Sequence, residues 1–260
     1  MSQDDQSQTR GLQRNRPEDV GALATKVISV LRDRQVVGRD GARQFVLDHL
    51  MRAILSRTVF DPALVFDEMR GHRLTHDEII DLYIPQASCM LGESWVADDI
   101  GFADVTVGAL RLQALLSEAN GQMQIDLSPD DSRLRVLVLL PQGEQHFLGT
   151  SVVAAQLRRM GCEVSVSFDE SMGCLQARLL EESPNLVMIS CARVETLETA
   201  AETVQTIRTS SIVQPVIALG GAVLDDAEEL KDQTGVDIVT SSAKDAVAFC
   251  SKSGTAPTSR

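Results

Sequence analysis

From Leu134 onward, short apolar runs rich in β-branched residues alternate with longer segments whose apolar residues recur at helical spacing. Because this alternation is typical of parallel strands covered by helices on both faces, we predict an α/β domain over residues 134–250. Its five parallel strands are expected in a flavodoxin-like, Rossmann-type order. The predicted strands lie at residues 134–140, 163–167, 185–190, 215–219 and 236–240. The predicted helices lie near residues 150–160, 172–182, 195–209, 224–233 and 243–250.

The first half of the chain has a different pattern. Residues 17–121 show helical periodicity and contain no strand-like run. Thr75 and Glu78 form a capping-box pattern at the start of a long helix, which Pro85 is expected to kink or divide. These features predict an all-helical bundle, joined to the α/β domain as a cap.

The remaining segments are polar and are predicted to lie outside the two domains. Residues 1–16 and 251–260 are expected to be disordered tails. Residues 122–133 are rich in Asp, Ser and Pro, which is typical of a linker between domains.

Charge and composition argue against several classes of function. The formal net charge is -13 and no basic stripe is visible, so direct sequence-specific DNA binding is not expected. No run approaches the roughly 18 apolar residues of a membrane span, and the polar N-terminus lacks a secretory signal. The five cysteines form no Cys-x-x-Cys pair, which suits reduced, buried thiols in a cytoplasmic protein.

Polar and small residues follow three of the predicted strands, at the points where those strands end. His146 follows the first strand, Ser190 ends the third, and Gly220-Gly221 follow the fourth. In a flavodoxin-like order these carboxyl ends are neighbours and flank the crevice where open α/β sheets bind ligands. The sequence has no Gly-x-Gly-x-x-Gly or Walker pattern, so those nucleotide-binding folds are disfavoured.

The same positions resemble the signature of the cobalamin-binding domain family. That signature reads Asp-x-His-x-x-Gly, then Ser-x-Leu, then Gly-Gly. The chain departs from it with Glu at the first position and with Ala in place of Leu. The matching segments are Glu144-Gln145-His146-Phe147-Leu148-Gly149, Ser190-Cys191-Ala192 and Gly220-Gly221.

The resemblance implies a role for each of these residues. His146 would be the lower axial ligand of cobalt, Glu144 would hydrogen-bond its imidazole, and Ser190 would extend that relay. An acid behind a ligating histidine fixes its tautomer. Gly149 and the Gly220-Gly221 pair would clear a path for the nucleotide tail of the cofactor. No catalytic residue is implied.

The helical half also resembles cobalamin proteins of the methionine-synthase-like and photoreceptor kinds. In these a Leu-Gly-x-x-Trp segment covers the upper face of the corrin, and here Leu91-Gly92 and Trp95 match it. Sensors that trap an adenosyl group carry a Glu-His pair shortly afterwards, where this chain has Val105-Thr106. The resemblance therefore implies Trp95 as a cap residue and no upper histidine ligand.

Within that family, the loop pattern, the acidic charge and the cap most resemble the AerR/PpaA antirepressors of purple photosynthetic bacteria. The pattern is Pro141-x-Gly143-Glu144-x-His146-x-Leu148-Gly149. This implies a non-enzymatic, light- or redox-responsive photoreceptor that regulates photosynthesis genes by binding a DNA-binding repressor. The adenosyl, methyl and hydroxo forms of the cofactor stay open. Two alternatives also stay open, a corrinoid methyl-carrier protein of a methyltransferase system and a haem sensor using the same cleft.

Overall fold

The computed structural model describes residues 43–122, 133–144, 146–221 and 227–253. The predicted N-terminal tail, most of the linker and the end of the C-terminal tail lie outside these residues. Within these residues, the first half of the chain forms helices as far as Gly121, and the alternation of strands and helices begins at Arg135.

The first half of the described chain is helical. Its core is formed by buried aliphatic side chains together with Phe66 and Tyr83. The elements are α1 (Gln44–Leu55), α2 (Pro62–Gly71), α3 (His76–Glu78), a π-helical turn (Ile79–Tyr83), α4 (Ile84–Val96) and α5 (Phe102–Gly121). The predicted helical bundle is thus confirmed for the part of it that the structure describes.

The long helix is divided where Pro85 was expected to divide it. Thr75 starts it with the predicted capping box, because the Glu78 amide donates to Thr75 Oγ1 at 3.1 Å and the Thr75 amide donates to the Glu78 carboxylate at 2.8 Å. Pro85 has no amide hydrogen to give to the carbonyl four residues earlier. The helix accommodates this with the π turn, in which the Ile84 amide bonds the Ile79 carbonyl five residues back.

The second half contains the predicted five-stranded parallel sheet, in the flavodoxin-like order β2-β1-β3-β4-β5. The strands are β1 (Arg135–Leu140), β2 (Glu163–Phe168), β3 (Leu186–Ser190), β4 (Val216–Gly220) and β5 (Ile238–Val239). The helices are α6 (Phe147–Arg159), α7 (Met172–Glu182), α8 (Leu197–Ser210), α9 (Ala227–Thr234) and α10 (Ala243–Lys252), and a 3-10 turn (Val194–Thr196) precedes α8.

Helices cover both faces of the sheet, as predicted. Apolar side chains of α7, α8 and α9 form one buried cluster with the strands, and those of α6 and α10 form the other. Among the described residues, no helix is both long and apolar enough to cross a membrane. The expectation of buried thiols is wrong for Cys89 and Cys174, which are exposed.

Helix α6 belongs to both halves of the molecule. One of its faces packs on the sheet, while Val152 and Ala155 belong to the core of the helical cap. At its C-terminal end, the Arg159 guanidinium forms ion pairs with Asp81 and, at 3.3 Å, with Asp77. The cap is therefore joined to the sheet domain along the length of this helix.

Gly221 occupies a position that only glycine can hold. Its φ is +125°, a region that side chains strongly disfavour. A Cβ at this position would lie 1.9 Å from the carbonyl oxygen of Cys191. The neighbouring Gly220 accepts a hydrogen bond of 2.7 Å from the Cys191 amide. The backbones after β3 and β4 thus lie in direct contact, which explains the glycine without reference to any ligand.

We expect the substitution Gly221→Ala to lower the free energy of unfolding by about 3 kcal/mol, because it adds both a disfavoured backbone conformation and a clash with backbone atoms. Gly173→Ala is the matched control, since no heavy atom lies within 4 Å of its added Cβ. Chemical denaturation measures both variants. Equal stability of Gly221→Ala and the unsubstituted protein would contradict the close approach described above.

Candidate functional site

His146 lies at the carboxyl edge of the sheet, as its position after the first strand predicts. It is the residue immediately before α6, and its side chain is 56% exposed. The loop that carries it begins at Pro141, where β1 ends, and turns at Gly143, whose φ is +84°. More than half of the imidazole is therefore accessible at the carboxyl edge of the sheet.

Glu144 is the buried partner of this histidine. Its residue is only 3% exposed, and its Oε2 lies 3.0 Å from His146 Nδ1. The other carboxylate oxygen, Oε1, accepts hydrogen bonds from the amides of Ala192 at 2.9 Å and Arg193 at 3.3 Å. It also accepts from the Thr196 hydroxyl. Glutamate therefore takes the place of the usual aspartate and still reaches the imidazole.

These contacts keep Glu144 ionised. Burial by itself would raise the pKa of the carboxyl group, but hydrogen bonds from Thr196, Ala192 and His146 outweigh burial and hold the pKa at about 2. An ionised carboxylate can only accept hydrogen bonds, so the proton of a neutral His146 is on Nδ1. Nε2 is then unprotonated, and its lone pair is available to a metal ion.

The donor set fits a metal that brings most of its own ligands. Among the described residues, no group of three or more His, Cys, Asp or Glu side chains is placed to hold a metal ion. His146 is instead one half-exposed donor with a carboxylate behind it. A metal centred in a tetrapyrrole-like ring needs one axial ligand of this kind from the protein.

The structure corrects the hydroxyl in the predicted relay. Within the described residues, the hydroxyl that donates to Glu144 is that of Thr196, and Ser190 makes no hydrogen bond to this carboxylate. Ser190 lies half-buried at the end of β3, where its backbone pairs in register with Gly220. A contact between Ser190 and a cofactor stays a prediction.

Gly149 lies in the first turn of α6, and a Cβ built on it would meet no heavy atom within 4 Å. The space beside the helix is therefore open, as a path for an elongated ligand requires. Gly220 and Gly221 line the same edge of the sheet, but Gly221 is already constrained by the Cys191 backbone.

Aromatic and basic side chains that the sequence reasoning missed border the crevice. Phe147 and Phe168 form an edge-to-face pair with ring centroids 5.4 Å apart, and both remain more than two-fifths exposed. On the β3 side, the Arg193 guanidinium donates to the Gly143 carbonyl and its Nε lies 4.0 Å from Glu144 Oε2. No sequence motif marks Arg193 or Thr196, because their relation to Glu144 depends on the path of the loop after β3.

The cap carries exposed apolar side chains on α4 and α5. Gln113 of α5 donates to Ser151 of α6 at 3.2 Å, one turn beyond Phe147. Leu110 and Phe102 precede Gln113 on the same face of α5 and remain 65% and 72% exposed. Trp95, at the end of α4, is 51% exposed. Exposed apolar groups of this size can form a binding face where they lie together.

Comparison with known proteins gives one close relative in sequence and a fold match. An uncharacterized 20.5 kDa protein of Rhodobacter capsulatus, from the bchF-crtJ intergenic region, is 33% identical over 177 residues, which are 68% of this chain and 92% of that protein. No protein-family model matches the chain.

Among solved structures, the monomethylamine corrinoid protein of Methanosarcina barkeri matches with a TM-score of 0.65 and 14% identity, covering 82% of this chain and all of that one. The chain therefore has the fold of that corrinoid protein. A cobalamin-binding protein from Desulfitobacterium hafniense gives a TM-score of only 0.42 at 18% identity over 79% of this chain and 97% of that one, which is too low to argue from.

The lowered pKa of Glu144 makes a defined contribution to stability. A carboxyl group whose pKa falls on folding from 4.5 to about 2 stabilises the protein above pH 4.5, and this stabilisation is lost as the pH falls toward 2. At 1.36 kcal/mol per unit, the contribution at neutral pH is about 3 kcal/mol.

We expect the difference in unfolding free energy between the unsubstituted protein and Glu144→Gln to shrink by about this amount between pH 6 and pH 2, because glutamine does not titrate. Denaturant unfolding at several pH values measures it. A difference that stays constant across this range would show that Glu144 has no lowered pKa.

Proposed function

We propose that this chain, which belongs to the same protein family as the uncharacterized Rhodobacter capsulatus protein of the bchF-crtJ intergenic region, is a cobalamin-binding regulatory protein with no catalytic activity of its own. The observation that carries the proposal is the His146–Glu144 pair, which presents one imidazole nitrogen at the ligand-binding edge of the sheet. The fold shared with a corrinoid protein supports the choice of cofactor.

The residues of the crevice suit the parts of such a cofactor. His146 would bind cobalt through Nε2, and Glu144 would hold the imidazole in the required tautomer. The open space beside Gly149 would admit the nucleotide tail. Trp95 and Phe102 of the cap would offer apolar contacts to the cofactor. When bound, the cofactor supplies a cobalt–ligand bond that light or a redox change can alter.

A change at the cobalt would reach the cap through α6. His146 immediately precedes this helix, and Val152 and Arg159 fix the same helix to the cap. A partner that binds two arrangements of the cap and the sheet with different free energies would then respond to the state of the cofactor.

The proposed partner is a DNA-binding repressor of photosynthesis genes, which the loaded protein would antagonise. The net charge of -13 favours association with a basic protein and disfavours direct binding to DNA. The gene position of the family member in R. capsulatus, between bchF and crtJ, supports a role in photosynthesis regulation. A partner that works on DNA would place this activity in the cytoplasm.

A second candidate is a corrinoid methyl-carrier protein, and the fold shared with the Methanosarcina barkeri corrinoid protein favours it. In this reading His146 and Glu144 hold the same cofactor, but a methyl group passes between two enzymes. The departures at Glu144 and Ala192 from the family signature weigh against it. A haem sensor using the same imidazole is a third reading, which an absorption spectrum separates from the others.

We expect purified protein to bind hydroxocobalamin in a one-to-one complex whose absorption spectrum shows histidine ligation. His146→Ala should bind about 100-fold more weakly and lose that signature, because even residues behind a metal ligand contribute 10–100-fold to affinity. The control is His49→Ala, whose imidazole pairs with Glu68 on the cap surface at 3.0 Å. An unchanged spectrum of His146→Ala would remove the axial-ligand assignment, and a Soret band after haem addition alone would favour haem.

A second experiment distinguishes the regulatory function from the methyl-carrier function. We expect the cobalamin-loaded protein to release a photosynthesis-gene repressor from its DNA in a mobility-shift assay, with a different midpoint in light and in darkness. His146→Ala should lose that difference. Rapid transfer of the methyl group from the methyl-cobalamin form to a thiol, catalysed by a thiol-specific methyltransferase and leaving cob(I)alamin, without any effect on the repressor, would instead establish the carrier.

A further inference from the structure

We infer that Thr196, and not Ser190, is the positioning residue that orients the Glu144–His146 pair, with the Cys191 thiol at the far end of the same hydrogen-bond relay. This inference rests on the proposed role of His146 as a metal ligand and specifies what holds that ligand in place. Thr196 lies in the 3-10 turn before α8, far in the sequence from the loop that carries His146.

The direction of each hydrogen bond follows from the chemistry of the acceptors. The Thr196 hydroxyl lies within reach of Glu144 Oε1 and, at 2.8 Å, of the Arg193 carbonyl. It has one proton, and an ionised carboxylate is a stronger acceptor than a backbone carbonyl. The proton is therefore directed to Glu144.

The Thr196 oxygen has lone pairs left to accept from the thiol of Cys191, whose sulfur lies 3.1 Å away, and the Arg193 carbonyl at 3.3 Å offers the same thiol a second acceptor. Cys191 is 1% exposed, and burial raises the pKa of its thiol, so the sulfur retains a proton to donate. The relay thus runs from Cys191 through Thr196 to Glu144, and His146 donates to the opposite oxygen of the carboxylate.

Thr196 is well placed to hold a fixed geometry. It is 5% exposed, and its amide bonds the Arg193 carbonyl at 3.2 Å within the 3-10 turn. The loop after β3 gives Oε1 three donors, namely Thr196 and the amides of Ala192 and Arg193. Oε2 is consequently directed toward His146.

The extra length of glutamate explains why the relay runs here. One more carbon–carbon bond than aspartate extends the carboxylate by about 1.5 Å, past the end of β3 and into the loop that follows. The hydroxyl that meets it there belongs to Thr196, six positions beyond Ser190. The departure at position 144 and the change of hydroxyl are thus two parts of one arrangement.

The experiment compares Thr196→Val, Thr196→Ser and Ser190→Ala, each with cobalamin. Thr196→Val keeps the shape of the side chain and removes the hydroxyl, while Arg193 still donates to the Gly143 carbonyl and joins the two loops. We expect Thr196→Val to bind hydroxocobalamin 10–100-fold more weakly, the range for residues that orient a metal ligand. Its cob(II)alamin form should show a reduced share of imidazole-nitrogen splitting in electron paramagnetic resonance.

Thr196→Ser restores the hydroxyl and should recover both the affinity and the nitrogen splitting. Ser190→Ala should keep the nitrogen splitting of the unsubstituted protein, because a contact of Ser190 with the cofactor would change affinity and not the orientation of His146. A normal spectrum and affinity for Thr196→Val, or a loss of the nitrogen splitting in Ser190→Ala, would overturn the inference while leaving the proposed function intact.

A measurement on the protein without cofactor distinguishes a wrong relay assignment from a wrong proposed function. In nitrogen-15 spectra of protein labelled at histidine, His146 should be mostly in the Nδ1-protonated tautomer in the unsubstituted protein and in Ser190→Ala, and should become a mixture of tautomers in Thr196→Val. If this shift occurs and cobalamin does not bind, the relay stands and the proposed function fails. If cobalamin binds through His146 and the tautomer is unaffected by Thr196→Val, the relay assignment fails.

Discussion

A single buried carboxylate organises the crevice. An ionised group enclosed by protein costs several kcal/mol unless its lone pairs are met by donors, and Glu144 is met on both oxygens. The donors come from two different loops, one after β1 and one after β3. Neither loop can move far without leaving a charge unpaired, so the position of His146 depends on residues 46 to 50 positions away in the sequence.

The two oxygens of this carboxylate have different tasks. Oε1 takes the donors of the β3 loop, and Oε2 is left for the imidazole. Because Glu144 Oε2 lies 3.0 Å from Nδ1, a ligand bound at Nε2 would not require the imidazole to be reoriented. Preorganisation of this kind reduces the ordering cost that binding would otherwise incur.

The sequence predicts the fold closely where hydrophobic pattern decides it. The runs at 134–140 and 185–190 differ by one residue from β1 and β3, because strands buried on both faces are almost continuously apolar. The run at 236–240 is longer than β5, which is regular only at Ile238 and Val239 at the edge of the sheet, although the amides of Asp237 and Thr240 also bond the β4 backbone. An edge strand has a single partner, and apolar pattern alone does not tell where its pairing stops.

The site is predicted less completely, and the reason is geometric. His146 and Glu144 are visible in the sequence because two residues in one loop make the pair. Thr196 and Arg193 are invisible to the same reasoning, since their contact with Glu144 exists only once β1 and β3 lie side by side. The sequence pattern predicts that Gly221 makes room for a ligand, whereas the structure shows that the nearby Cys191 backbone already requires a glycine there.

Helix α6 has 13 residues and is therefore about 20 Å long. A tilt of about three degrees at one end of a stiff rod of that length displaces the other end by about 1 Å. At the far end, Arg159 and Asp77 lie 3.3 Å apart, a separation that such a displacement would carry beyond contact range. A tilt of α6 at its His146 end would therefore break the contact between Arg159 and Asp77 of the cap.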